Sequence, residues 1–485
     1  MHTPYLPALR ARLAALGRRT PRTLRQISLP ELARCLETYL PAYLFASEDQ
    51  GANSRERIYT LRLTFQAFLW QMLKPQTACR EVVRQVQAWF GLQELRPVES
   101  GSSAYCQARL RLPRERLEKA LSQLAQHADR QAAQGGCLSG RTVKVVDATG
   151  CQLADTPQNQ KRYPQPPHQT PGCGFPALKL LALFSLASGA VLQVILGNYH
   201  HHELRLFRQL WDELKAGDVI LGDRIFGDYA TLAGLPGRRI DVVARLNAKR
   251  RVDFRKGKRL GHNDGLFTWF KSAHCPAYLT PAEWAKLPAT ITVRIIRFRI
   301  ATKGFRTRSI TLITSLLDAK LYPLEQLAAL YARRWHLELW FRNLKTQMGM
   351  EQLRCQTPDM AEKEALAYLV AHNLVRCVMA EAAAAHAVEL ERLSFKGAVD
   401  ALRQFTRTMA QATSQRKRKQ LWRDLLRILA HDQVPLRPGR REPRALKHRP
   451  KPFPFLTQPR RRFKDHVPYR KWVRLQNGAK NGTVI

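Results

Sequence analysis

Four polar residues in the run Tyr331-Ala-Arg-Arg334-Trp-His-Leu-Glu338-Leu-Trp-Phe-Arg-Asn-Leu-Lys345 fall at i, i+3, i+7 and i+14. On a regular helix, at about 100° per residue, these offsets map to roughly 0, −60, −20 and −40°, one narrow stripe. One carboxylate among two cations and a phenol suits a metal ligand flanked by phosphate-binding groups. It equally suits a solvated helix face with ion pairing at i, i+4. Arg342, four residues after Glu338, falls near the same face. Two strand-like runs also end on acid: TVKVVD on Asp147 and DVILGD on Asp223, the latter followed by Arg224. Carboxylates at the ends of buried strands are costly unless paired, solvated at an edge or holding a cation. A sheet edge can gather them for a hard divalent ion such as Mg²⁺. Either Asp alone reads as a turn residue or cap.

The elements that must position these groups follow from the chain's patterning. Residues 1–130 are basic and helical in pattern, with amphipathic stretches at 58–73 and 78–90, and the segment 101–113 reads as a link with Ser102 or Ser103 as an N-cap. From Thr142 strands and helices alternate: TVKVVD, a hairpin over 175–197, a helix over 201–215, the strand DVILG and the strand DVVARL. Residues 248–318 break this rhythm with the β-branched runs ITVRIIRFRI and RSITLITSL and read as a β-rich insertion. Helical pattern resumes from Pro323 through Gln347, then over 358–386 and 391–431. Residues 432–485 form a basic, Pro-rich tail unsuited to a compact core.

Bulk properties narrow the partner. Lys and Arg number 80 against 38 Asp and Glu, a net charge of +42 in 485 residues. Such an excess points to a polyanion, because each neutralised phosphate releases condensed counterions. The nine cysteines include no CxxC pair, so neither a zinc site nor a disulfide framework is indicated, and they read as reduced cytoplasmic thiols. Lys179 and the break Ala187-Ser188-Gly189-Ala190 make 175–197 a hairpin rather than a membrane span. The run His200-His201-His202 reads as a solvated turn, and Asp155 and Asp228 as loop residues.

The order Asp, Asp-Arg, Tyr-x2-Arg-x3-Glu-x6-Lys resembles the signature of the insertion-sequence-four family of bacterial DDE transposases. All four residues of its helix motif stand at the family spacing, as Tyr331, Arg334, Glu338 and Lys345. The runs VVDATGCQLADTPQNQKRYPQP and LGDRIFGDY look like the family's two Asp motifs, and the likeness covers roughly residues 50–350. The resemblance implies an α/β, ribonuclease-H-like catalytic core over 131–350, with 248–318 as its β-rich insertion. A helical DNA-binding domain (1–130) would precede it; a helical region (351–431) and the basic tail (432–485) would follow. It implies that Asp147, Asp223 and Glu338 are catalytic and hold two divalent ions, Mg²⁺ or Mn²⁺. Tyr331, Arg334, Arg342, Lys345 and Arg224 would contact DNA. The partners implied are double-stranded DNA, as element inverted repeats and target, and a second copy of the chain in a homodimeric synaptic complex. The location implied is the cytoplasm at the nucleoid. Some family members release the element through a hairpin with help from a Trp in the insertion; Trp269 and Trp284 lie there, and both read first as core residues. The alternatives are a nuclease of the same fold that only cuts, and a catalytically inactive DNA-binding regulator.

Overall fold

The computed structural model describes residues 38–46, 57–92, 95, 97–132, 137–299, 309–436, 456–459 and 462. Residues 1–37 and most of the basic tail, Arg460 and Arg461 included, lie outside the described residues. The architecture is mixed α/β around one large sheet. Its strands are β1 (Cys137–Leu138), β2 (Arg141–Gln152), β3 (Ala177–Ser185), β4 (Val191–Asn198), β5 (Val219–Gly222), β6 (Asp241–Arg245), β7 (Lys258–Gly261), β8 (Asp264–Phe270), β9 (Thr290–Arg299) and β10 (Ser309–Thr314). They run in the order β4-β3-β2-β5-β6-β10-β9-β8-β7, with β1 pairing β2. β2, β5 and β6 are mutually parallel and the other neighbours antiparallel.

Side chains alternate across this sheet with period two. Val143, Val145, Val219, Leu221 and Val243 face one core, and Val146, Ile220, Val242 and Ala244 the other. The first core is shared with helices from both ends of the chain: α1 (Leu61–Leu73), α4 (Arg114–Gln131) and α11 (Pro358–Ala385). Between α1 and α4 lie α2 (Cys79–Leu92) and α3 (Ser103–Arg111), so most of the stretch 101–113 is helix rather than a link. α11 is buried around nearly its whole circumference, as expected of a helix apolar on every side. Its Asn373 accepts from the Val191 N–H at 2.8 Å and donates to Val191 O and Leu121 O, fastening β4 to α4.

Several local expectations shift. The predicted helix over 201–215 shortens to α6 (Glu203–Arg208) and a 3-10 turn at Trp211–Glu213. The β-rich segment 248–318 continues the main sheet, because β10 pairs with β6 as well as with β9. It also carries a buried ion pair, in which Arg294 Nη2 lies 2.6 Å from Asp264. The hairpin over 175–197 forms as β3 and β4, turning at Gly189 with φ +68°, a conformation suited to glycine. Among the described residues no helix is long and apolar enough to cross a membrane.

Candidate active site

The site begins with strand register. In the parallel pair β2 and β5, Val143 lies opposite Val219 and Val145 opposite Leu221. In β5 and β6, Leu221 lies opposite Val243 and Gly222 opposite Ala244. Carried forward, the two registers set Asp147, Asp223 and Arg245 in one row across three parallel strands. Period two turns all three to the face that bears Val145, Leu221 and Val243. The C-terminal ends of parallel strands are where α/β sheets bind ligands. Asp147 does not end its strand, as TVKVVD suggested. β2 runs on to Gln152 because β3 stays paired along it, while the parallel ladder to β5 stops at Val145. The opening is therefore made by β5 ending, not by β2.

Above this row pass α9 (Leu324–Arg333) and α10 (His336–Arg342), followed by a π turn at Asn343–Gln347. The run expected as one helix is interrupted at Arg334-Trp335, where i to i+3 bonds tighten the backbone: Arg334 N to Tyr331 O, Leu337 N to Arg334 O and Glu338 N to Trp335 O. The ideal-helix stripe is thus broken into three short pieces. The chain after the π turn is tied back to β2, since Gln152 N donates to Glu351 O at 2.9 Å and Leu353 N to Gln152 O at 2.8 Å.

Arg334 is the hub. Its Nη1 lies 3.9 Å from Asp147 Oδ2 and its Nη2 3.6 Å from Glu338 Oε1. The guanidinium stands 5.7 Å from the Tyr331 ring centre and 5.7 Å from that of Trp335. Its Nε is buried without a hydrogen-bond partner among the described residues. Burial pushes the Asp147 carboxyl up to about 6 and the charge of Asp223 adds to this. The Ala148 N–H, donating to Asp147 Oδ1 at 2.8 Å, and Arg334 pull the other way. Asp223 is shaped into a turn by accepting from the Ile225 N–H at 2.9 Å. Tyr331 is buried and its phenol is pushed up by burial, with Arg334 and Arg245 opposing.

Arg245 was not anticipated from the sequence. Burial holds its guanidinium below the usual value, and the neighbouring charges of Arg224 and Arg334 lower it further. Three guanidiniums close enough to repel one another favour an anion among them. The signal was present in the strand DVVAR, whose Val243 and Arg245 repeat the i, i+2 pattern of Val145 and Asp147.

The structure thus brings Asp147, Asp223, Arg224, Arg245, Tyr331 and Arg334 together, and reaches Glu338 only through Arg334. Glu338 is half exposed, and among the described residues no three His, Cys, Asp or Glu side chains gather as a metal-ligand group. Asp147 and Asp223 nonetheless fit a divalent cation. They supply hard oxygen donors, and the raised proton affinity of Asp147 marks negative charge not fully compensated. Lys345 lies farther along β2, lining a cleft of about 700 Å³ with Gly150, Gln152, Tyr199 and Glu351. Arg342 is exposed, and no hydrogen bond or ion pair joins it to the cluster among the described residues.

The other residues singled out have structural places. Trp284 is buried and donates to Ser272 O, while Trp269 lies under Arg250, 4.0 Å from its ring centre. His202 caps α6 and stacks on Tyr278; His200 and His201 are exposed. Asp228 is the N-cap of the helix Tyr229–Gly234, and Asp155 accepts from Gln160.

Residues 138–374 match the model of the transposase DDE domain. The chain is 26% identical over 357 residues to the transposase InsG for insertion sequence element IS4 of Escherichia coli (strain K12), covering 73% of this chain and 78% of that one. It is also similar to the piggyBac transposase in a cryo-EM synaptic complex with hairpin DNA, at 13% identity and a TM-score of 0.40, with 84% of this chain and 87% of that one covered. The sheet row and the helices above it both fall inside the matched domain. On the domain match and the long alignment to InsG, the chain is similar to DDE transposases of insertion sequences, metal-dependent enzymes that cleave DNA and transfer its strands.

Proposed function

We propose that the chain performs cut-and-paste transposition of an insertion sequence, with Asp147, Asp223 and Glu338 as the catalytic carboxylates. The observation that carries this reading is the row Asp147–Asp223–Arg245, with Arg334 above it in reach of both Asp147 and Glu338. Two divalent ions, Mg²⁺ or Mn²⁺, held by the three carboxylates would supply Lewis acidity and lower the pKa of the attacking water or 3′-hydroxyl. The chain's own groups position the DNA. Arg224, Arg245 and Arg334 present a fork of cations beside Asp223, suited to a phosphodiester whose oxygens accept from planar guanidiniums. Tyr331 adds a hydroxyl in the same pocket. Lys345 and Arg342 extend the positive path along the backbone on either side.

A ribonuclease-H-like core is supported by the strand order β4-β3-β2-β5-β6, in which parallel β2, β5 and β6 follow two antiparallel edge strands. The helical residues 1–130 are assigned to recognition of the terminal inverted repeats, residues 131–350 to catalysis, and the tail to the DNA backbone. Two element ends must be handled together, which makes a homodimer the working assembly. The net charge of +42 suits residence at the bacterial nucleoid in the cytoplasm.

Glu338→Gln tests the catalytic assignment. The variant should bind inverted-repeat DNA as the parent does and lose cleavage and strand transfer in Mg²⁺. Cleavage at the parent rate would remove Glu338 from the mechanism.

A further inference from the structure

Away from the catalytic row, Arg109 is 8% exposed and its Nη2 lies 3.2 Å from Cys79 Sγ and 3.8 Å from Cys106 Sγ. Its guanidinium is sandwiched over the rings of Phe68 and Tyr105, at 5.2 and 5.1 Å. Among the described residues it forms no ion pair with a carboxylate; Glu364, nearby, is turned to the N–H groups of Arg354 and Cys355. A guanidinium does not shed its proton, and a buried one requires an anion. Two sulfurs are the groups set against that cation, both within 3.8 Å of the same guanidinium nitrogen, and a thiolate at either would supply the anion. Cys79 opens α2 and Cys106 sits in α3, and both line a cavity of about 530 Å³ with Gln71, Arg354 and Tyr368.

We propose that Cys106 and Cys79 form a reactive dithiol, a modification site at which a hydroperoxide oxidises the pair to a disulfide. The Cys106 thiolate attacks the terminal peroxide oxygen, the O–O bond breaks, and the leaving alkoxide or hydroxide takes a proton from solvent. The resulting Cys106 sulfenic acid condenses with the Cys79 thiol, forming the S–S bond and releasing water. The two cysteines lose two electrons and the peroxide gains them. The hydrogen bond from Cys79 and the charge of Arg109 pull the Cys106 thiol down to about 5 against the effect of burial, while Cys79 is pushed above the usual thiol range. Tyr59, Tyr105 and Cys355, the other titratable groups facing the pair, are all pushed up by burial and stay neutral. That division gives one sulfur as nucleophile and one as proton-bearing resolving thiol.

The test uses the full chain. Iodoacetamide at pH 6 should alkylate Cys106 about tenfold faster than the partly exposed Cys173 and Cys275. Hydrogen peroxide should then yield a Cys79–Cys106 cross-linked peptide in proteolytic mass mapping. In Cys79→Ser, the sulfenic acid should persist at Cys106 and be trapped by dimedone. Equal alkylation rates at pH 6, or no cross-link in the parent protein, overturns the proposal whether or not the variant folds.

Discussion

Replacing Asp147 with Asn should stabilise the metal-free protein while abolishing its cleavage activity. The carboxyl stands at about 6 against an ordinary value near 3.8, raised first by burial and then by Asp223. About two pKa units at about 1.36 kcal/mol each give roughly 3 kcal/mol by which the ionised side chain opposes folding. The side chain is 26% exposed and Asn keeps an oxygen for the Ala148 N–H, so a gain of about 1–3 kcal/mol is expected above pH 7. Between about pH 4 and pH 6 the folded chain holds a proton at Asp147 that the unfolded chain has lost, so the parent's stability rises as pH falls through that window. The advantage of the variant should therefore be full at pH 8, shrink through pH 6 and vanish near pH 4. Thermal unfolding in EDTA at these pH values measures it. Mn²⁺ added at pH 8 should raise the melting temperature of the parent and leave that of Asp147→Asn almost unmoved, because ligand binding stabilises only a site able to hold it. A variant less stable than the parent at pH 8, or a difference independent of pH, would falsify the account of a strained carboxylate pair.

Three further outcomes follow from the packing. Lys345→Ala should weaken binding to pre-cleaved ends and reduce the slope of log K against log salt by about 1, measured by fluorescence anisotropy; an unchanged slope removes the lysine from the phosphate path. Asp264→Ala leaves Arg294, fully buried, without its carboxylate and should cost about 3–5 kcal/mol in chemical unfolding, whereas a loss below about 1 kcal/mol would show the pair to be dispensable. A Cβ at Gly150 would lie 1.7 Å from the Tyr199 hydroxyl oxygen, so Gly150→Ala should lower stability by about 1–3 kcal/mol. Adding Tyr199→Phe should restore part of that loss, and no recovery in the double variant would place the strain elsewhere.

The sequence alone singled out the helix motif and the two aspartates as candidates, through residue type, spacing and the resemblance those residues carry. Metal and phosphate chemistry restrict the useful residue types, and the period-two pattern of Val143, Val145 and Asp147 and of Val219, Leu221 and Asp223 is a local property. The hairpin over 175–197 was legible for the same reason, since strand length, Lys179 and Gly189 all act within a few residues. Tertiary structure decided three things that local pattern does not contain. Strand β2 outruns TVKVVD because β3, a separate strand farther along the chain, keeps pairing with it as far as Gln152. Arg245 enters the site because parallel register aligns Gly222 with Ala244, a relation between separate strands. The Tyr331–Lys345 run breaks at Arg334 and unwinds into a π turn, departing from the regular helix on which the stripe depended. Propensity favours a continuous helix there. In the fold the break falls at Arg334, whose guanidinium lies 3.9 Å from Asp147, and the chain past the π turn is hydrogen-bonded to Gln152, both contacts with a strand far away in sequence.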